Sequence, residues 1–503
     1  MLPVKMLQRE KMSTVDTAWL RMDSSGNLMM IVSVLMFDKP LDLACFRQTM
    51  KRRFLSYSRF RSCVVQDLTG AWWEEQKVDL DHHILESRLP SVRGGSNKEE
   101  LERMVGELSA TALDHSRPLW QMHVVDNCVG EDGKVRQGVI IRIHHCIADG
   151  IALVGVLLSM FDATRSASLE GAPDDEASQD SQADANDGDD GDEGDDSADA
   201  DNPWTQLLQP VTKTTITAIN LSTSMMTKYL LTLAESNKMV ARFAEMANIS
   251  GKLTQDAIKL MAMTEDTRTS LKGKPLGNKC VAWSEPLPLE EIKIVGKVLG
   301  ASINDVLMSS VAGAIGAYLR AKGEHVAEDA GLRAMVPVNL RKSSRQEKLG
   351  NAFGLVPLVL PVGIEDPLAR LHEVHKRMDE LKGGYQALVA MAVLGVLGAT
   401  PRQMQNEIQN YFAKKATAVM SNVPGPQAPL YLAGSQLDQI MFWVPQSGDI
   451  GVGVSILSYN GGVQFGIVTD DAIAEDPKGI IERFEPEFEK LVLLALMAEW
   501  PSL

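Results

Sequence analysis

Residues 171–203 set the first limit on the fold, because they have almost nothing to bury. The run is made of Asp, Ala, Ser and Gly, and 174–201 hold 14 acidic residues and no basic one. Such a stretch cannot offset its ordering entropy by burying apolar surface, so it is expected to be a disordered linker, with partner binding as the alternative. The chain is then expected to fold on either side of it. With 503 residues there is room for two bodies with sizeable cores. Setting those 14 acidic residues aside reduces the net charge from −16 to −2. The acidic balance therefore describes the linker, and a nucleic-acid-binding body is not indicated. Cys45, Cys63, Cys128, Cys146 and Cys280 show no paired spacing, which suits a reducing compartment. Residues 1–23 mix charges early, so no secretory signal is expected. No stretch reaches the roughly 18–20 apolar residues that span a bilayer. The nearest, 387–399, stops before Pro401 and reads as a buried helix.

The densest chemistry lies at Ile143-His144-His145-Cys146-Ile147-Ala148-Asp149-Gly150. Residues 137–143 are short and β-branched and read as a strand, and 151–161 read as a helix. Side chains alternate along a strand, so His145 continues the apolar face of Val139, Ile141 and Ile143, while His144 shares the other face with Ile140 and Arg142. An imidazole on an apolar face is either a satisfied core residue or a desolvated, neutral base. Adjacent histidines on a strand point apart and cannot chelate one ion together, and no ligand cluster lies nearby, so no metal is expected. Asp149 sits at the strand-to-helix turn as a cap or an arginine partner, and Gly150 suits a tight turn there.

Around this motif the chain alternates strands and helices. A first strand is expected at 29–37, a helix at 43–54, a hairpin from 60–65 and 71–74, and a helix at 97–112. The pair His82-His83 lacks a following Asp-Gly and reads as structural. Leu113-Asp114 and Pro118-Leu119-Trp120 lead into a strand at 121–126; Pro118 pre-sets the turn and Trp120 is a large apolar anchor. Residues 202–263 are helical in pattern and rich in methionine, fitting a connecting helix, a cover for a lipid channel or a surface that meets lipid. Beyond them come a strand at 279–284, a helix at 289–299 and a helix from Ser302 to Leu319, near whose start Asn304 could be a plain N-cap. A strand at 334–341 and a glycine-bounded loop at 349–354 follow. Arg341, Lys342 and Arg345 form a basic cluster that is either solvated or meets phosphates. A strand at 416–420 ends in Ser421-Asn422-Val423-Pro424-Gly425-Pro426, Asn460-Gly461-Gly462 signals a hairpin between 453–458 and 463–468, and a last helix is expected at 480–497.

The pattern His-His-x-x-x-Asp-Gly at a strand-to-helix turn resembles that of acyltransferases with a chloramphenicol acetyltransferase-like fold and of the related condensation domains. Leu-Asp, Pro-Leu-Trp, the histidine motif, Asn304-Asp305 and Ser-Asn-Val-Pro-Gly-Pro, in this order, narrow the resemblance to the bacterial wax ester synthase/acyl-CoA:diacylglycerol acyltransferase family. It covers nearly the whole chain outside the acidic tract. One departure is Ser24-Ser25-Gly26-Asn27-Leu28-Met29-Met30, where the family usually has an acidic residue and a Pro-Met-His segment. That departure bears on the shape of one substrate entrance, and with it on chain-length or acceptor preference.

The resemblance implies an α/β fold of two chloramphenicol acetyltransferase-like halves with mixed sheets and flanking helices, the active site lying in a channel between them. The expected division is a first half at 1–165, an acidic linker at 166–203, a helical connection at 204–265 and a second half at 266–503. It implies transfer of a long acyl chain from acyl-CoA to a fatty alcohol or diacylglycerol, with His145 as general base and His144, Asp149, Gly150 and Asn304 completing the catalytic set. Asp149 would brace the site through an ion pair. Asn304 would face His145 from the other half and hold the carbonyl or oxyanion. Pro118, Leu119, Trp120, Asp305, Ser421 and Asn422 would bind substrate. No cofactor is expected, coenzyme A being part of a substrate; peripheral contact with a membrane or lipid droplet on the cytoplasmic side is. The rival readings are an acyltransferase or condensation enzyme using another acceptor or a carrier-protein donor, and a silent lipid-surface protein that kept the fold.

Overall fold

The apolar run at 29–37 becomes the strand Met30–Phe37, buried along its whole length. It is unbroken because both faces are covered: Ile31, Leu35 and Phe37 join one core and Met30, Val32, Val34 and Met36 another. The computed structural model describes residues 9–67, 70–91, 95–170, 260, 262–340, 349–382, 386–399 and 402–498. The acidic tract, nearly all of the methionine-rich segment and the cluster Arg341, Lys342 and Arg345 lie outside the described residues.

Met30–Phe37 pairs antiparallel with the motif strand Val135–His144, Met30 standing opposite His144. The six-stranded sheet runs Tyr431–Leu432, Ser435–Trp443, Met30–Phe37, Val135–His144, Trp120–Val129, Ile84–Arg88. Its last pair is parallel, so the sheet is mixed. Two of these strands come from far down the chain, so the second half reaches across and completes the first half's sheet. The expected boundary at 165–166 is likewise crossed by the helix Arg165–Glu170, whose Arg165 pairs with Asp38 at 2.8 Å.

The seven-stranded sheet of the second half runs Phe353–Leu360, Leu332–Asn339, Ala418–Pro424, Val452–Tyr459, Gly462–Asp470, Lys279–Trp283, with Leu287–Pro288 beside Gly462–Asp470. Ala418–Pro424 is parallel to both neighbours. The strand expected at 416–420 is Ala418–Pro424, its pairing continuing to Pro424, opposite Ser458. A missing N–H is tolerated at a strand's last residue. Asn460 and Gly461, with φ of 47° and 78°, form the two-residue turn between Tyr459 and Gly462, as the Asn-Gly pair predicts.

The helices Leu289–Leu299, Ile303–Ala321 and Phe484–Met497 cover one face of this sheet. The last was expected as a single helix at 480–497; it is preceded by a separate turn, Lys478–Ile481. The apolar run at 387–399 is the helix Gln386–Ala399, packed between the first-half helix Thr14–Arg21 and the strand Phe353–Leu360. Gly354 makes that approach possible, since a Cβ there would lie 1.8 Å from the Ala387 carbonyl oxygen. Among the described residues no single helix is long and apolar enough to cross a membrane. The helices and loops of the second half therefore meet the first half where the motif strand ends.

Candidate active site

The strand Val135–His144 stops at the first histidine, so His145 lies in the turn beyond it. Alternation still places it as expected, beside the core that holds Val139, Ile141, Ile143 and Trp19. Its main-chain N–H donates to the Met29 carbonyl at 2.7 Å. The ring is 5% exposed and lies flat on the Trp19 indole, 4.1 Å between centroids at 16°, with Phe353 from the second half 5.6 Å away. Burial disfavours its charged form and, against the opposing charge of Asp149, pushes the pKa down to about 4. The imidazole is therefore neutral at pH 7 and able to accept a proton. Nδ1 is buried and makes no hydrogen bond among the described residues.

His144 is held at both ring nitrogens. Its Nδ1 accepts the Cys146 N–H at 3.1 Å, which fixes the proton on Nε2, and Nε2 donates to Asp23 Oδ2 at 3.2 Å. Burial works to raise the Asp23 carboxyl, but hydrogen bonds with His115, His144 and the Met29 N–H hold it well below the usual carboxylate range. Asp23 thus grips His144 directly and, through Met29, the backbone of His145. It supplies a carboxylate next to the segment where the sequence departs from the family's pattern.

Asp149 caps the helix Gly150–Met160, accepting the Ala152 N–H at 2.9 Å, and its other oxygen accepts the Ala352 N–H of the second half at 2.9 Å. Beside the motif, Arg59 pairs with Asp16 at 3.1 Å. Gly150 does not serve the tight turn expected of it. It is the first helical residue, its φ is not left-handed, and a Cβ there would meet nothing within 4 Å. Gly150→Ala should therefore leave stability, read by urea unfolding, within about 1 kcal/mol of wild type. A fall in turnover in that folded variant would then report space that substrate occupies.

In the second half, Asn304 is not the cap of its helix. Ser302 is, in a capping box with Asp305, and Asn304 is free to accept the Asn422 Nδ2–H at 2.7 Å. Asn304 and Asn422 are thereby brought together; among the described residues no hydrogen bond joins them to His145. Asp305, expected among the substrate contacts, is turned inward: it is fully buried and also receives His375 Nδ1 at 2.8 Å. Ser421 is buried on the opposite face of the strand from Asn422, the face that carries Val423 into the core around the motif. Trp120 is a packing anchor, its Nε1–H donating to the Phe60 carbonyl at 2.9 Å and its ring stacked on His83 at 4.2 Å. Pro118 and Leu119 are buried with it, and the Leu119 carbonyl accepts the His144 N–H at 2.9 Å. His83 is buried, with its Nδ1 2.7 Å from the Trp120 carbonyl oxygen. Among the described residues no group of three or more His, Cys, Asp or Glu is arranged to hold a metal ion.

Two mixed sheets with flanking helices, and a His-His-x-x-x-Asp-Gly turn seated where they meet, define the two-half fold shared by certain acyltransferases and condensation domains. The structure is similar to a wax ester synthase/diacylglycerol acyltransferase from Marinobacter aquaeolei VT8, with TM-score 0.62 and 17% identity over 96% of this chain and 99% of that one. It is also similar to the first condensation domain of the calcium-dependent antibiotic synthetase, with TM-score 0.55 and 14% identity over 97% and 96%. Residues 12–307 match the wax ester synthase/diacylglycerol acyltransferase catalytic domain and 349–492 the WS/DGAT C-terminal domain. The chain belongs to the wax ester synthase/diacylglycerol acyltransferase family, and it is an acyltransferase. Among its relatives, a Mycobacterium tuberculosis protein named as a diacylglycerol O-acyltransferase is 25% identical over 84% of this chain and 81% of its own length. A Mycobacterium bovis protein of like name is 26% identical over 79% and 72%.

Sequence reasoning passed over Asp16, Trp19, Asp23, Arg59 and Asn351, all of which touch the motif or brace a group that does. Asp16 carried a signal, a carboxylate between Val15 and the apolar Ala18-Trp19-Leu20, every one of them buried. Asn351 carried none, since its partners lie 206 and 335 residues away in the chain.

Proposed function

We propose that this acyltransferase moves a long-chain acyl group from acyl-CoA to a fatty alcohol, giving a wax ester, or to diacylglycerol, giving triacylglycerol, with His145 as general base. The observation that carries the reading is the state of His145: buried, stacked and uncharged at neutral pH, on the signature turn of a family named for both acceptors. His145 takes the acceptor's hydroxyl proton as the oxygen attacks the thioester carbonyl. The C–O bond forms first; the tetrahedral intermediate then collapses, breaking the C–S bond and expelling the thiolate of coenzyme A, which recovers the proton from His145. With its Oδ1 engaged by Asn422, Asn304 presents Nδ2 as the end able to donate, and we assign it to the oxyanion. Ser421 and Asn422 are assigned to substrate contact. Pro118, Leu119, Trp120 and Asp305, engaged as they are, support the site's walls. With a donor and an acceptor this apolar, we place the reaction at a cytoplasmic lipid–water boundary. Exposed Leu493, Leu496 and Met497 of the last helix offer apolar side chains for it.

Thiol release from palmitoyl-CoA, measured with hexadecanol, with dipalmitoylglycerol and with neither, tests the reading and ranks the acceptors. Release should require an acceptor. Equal release in all three arms would mean hydrolysis, and no release would point to a donor other than a CoA thioester; either result overturns the assignment.

A further inference from the structure

The turn that carries His145 is gripped from the second half by a buried polar network. Asn351 Nδ2 donates to the carbonyl of His145 at 2.8 Å and to Asp16 Oδ1 at 2.9 Å, and the Asn351 main-chain N–H reaches the same oxygen at 3.2 Å. The other oxygen of Asp16 pairs with Arg59 Nη1 at 3.1 Å, and Arg59 Nη1 donates to the carbonyl of Ile147 at 2.8 Å. The carbonyls on both sides of Cys146 are thus fixed by one chain of groups, with Asp16 1%, Arg59 8% and Asn351 8% exposed. On either side of Asn351, the Gly350 carbonyl accepts the Asp149 N–H and the Ala352 N–H binds Asp149.

A buried ion pair is a poor device for stability, since apolar residues of equal volume do as well; its attested use is to fix register. What this pair fixes is one amide, and that amide holds the backbone of His145. We propose that Asn351, braced by Asp16 and Arg59, is a positioning residue for His145, so that the base is set in the first half only when the loop of the second half is seated. The inference rests on the assignment of His145 as base. It means that turnover depends on the closure of the two halves at a place where neither substrate need touch.

The distinguishing variant is Asn351→Asp. Among the described residues, the titratable and charged groups facing the introduced carboxyl are Asp16, from the helix Thr14–Arg21, Arg59, from the turn Ser58–Arg61, and His145, Cys146 and Asp149, from the motif turn. Beside the Asp16 carboxylate it cannot readily ionise, so at low pH it keeps a proton and can still donate one hydrogen bond. As pH rises it loses that proton and two anions face each other. The experiment is kcat and KM for palmitoyl-CoA with hexadecanol from pH 5.5 to 8.5 in wild type, Asn351→Ala, Asn351→Asp and His145→Ala, with circular dichroism at each pH. Asn351→Ala should lose about 10²-fold in kcat at little changed KM. Asn351→Asp should be most active at acid pH and lose activity toward pH 8.5 while its spectrum is unchanged. If both keep the wild-type kcat and pH profile while His145→Ala is inactive, the positioning role is overturned and the base stands. If His145→Ala retains turnover, the base assignment itself falls. Should neither 351 variant fold, the double replacement Asp16→Leu with Arg59→Met leaves no charge buried alone, removes the acceptor that braces Asn351, and reads the same network. A loss of kcat in it supports the proposal, and wild-type kcat overturns it.

Discussion

His145→Ala should lower acceptor-dependent thiol release by about 10²–10⁴-fold, the usual contribution of a positioned base. KM for acyl-CoA should change little, because the imidazole serves proton transfer and not thioester binding. The companion result is the pH profile. With the pKa of His145 pushed down to about 4 by burial against Trp19 and Phe353, kcat/KM should stay level from pH 8 to about pH 5.5 and fall only below it. A histidine with its ordinary pKa of about 6.5 would already have lost about nine-tenths of the rate at that pH. An acid limb there would show that the stacked ring is hydrated in the working enzyme, and would sink the desolvated-base account. Stability should follow the same group. The unfolded chain takes up this proton below about pH 6.5 and the folded chain only near 4, so the folded state is favoured above 6.5 and loses that contribution as pH falls between the two values. Asp23 adds a loss at still lower pH, its contribution being present above the ordinary carboxylate range and removed as acid overcomes its partners.

The parts of this site that could be read in the sequence are those that are local. Strand alternation gave the face of His145 correctly, although the strand ends one residue earlier, because alternation persists through the extended backbone leading into the turn. The Asp149 cap follows from its place before a helix, and the Asn460-Gly461 hairpin from two residues that accept positive φ. What could not be read are the long-range closures. Nothing in Asp16 or Arg59 indicates that they meet a loop more than 280 residues on, near Asn351. Nor does anything in 435–443 indicate that this strand belongs beside Met30–Phe37 rather than in the sheet of its own half. Alternating polarity says that a strand is half buried, not which sheet it joins. Asn304 shows the intermediate case. A helix start was evident, but Ser302 and Asn304 both suit a cap, and only the capping box with Asp305 decides between them, leaving Asn304 to meet Asn422.

Asp149→Ala should destabilise the fold by about 2–4 kcal/mol, the sum of a lost helix cap and a buried N–H left without its acceptor. The two parts can be separated, because the carboxylate serves a different half with each oxygen. One oxygen satisfies Ala152 at the start of the helix Gly150–Met160, and the other satisfies Ala352 in the second half. Asp149→Asn keeps an oxygen for the cap but must turn an amide NH₂ toward the Ala352 N–H, so it should recover about 1 kcal/mol of the loss and no more. Urea unfolding of the three proteins reads the difference, and thiol release at a urea concentration where all are folded reads the function. Turnover should fall in both variants even when folded, since Ala352 adjoins Asn351 and a loosened loop holds the carbonyl of His145 less firmly. A wild-type urea midpoint in Asp149→Ala would mean that the helix and the loop find other partners. In that case the aspartate of the motif is not what joins the two halves at the base.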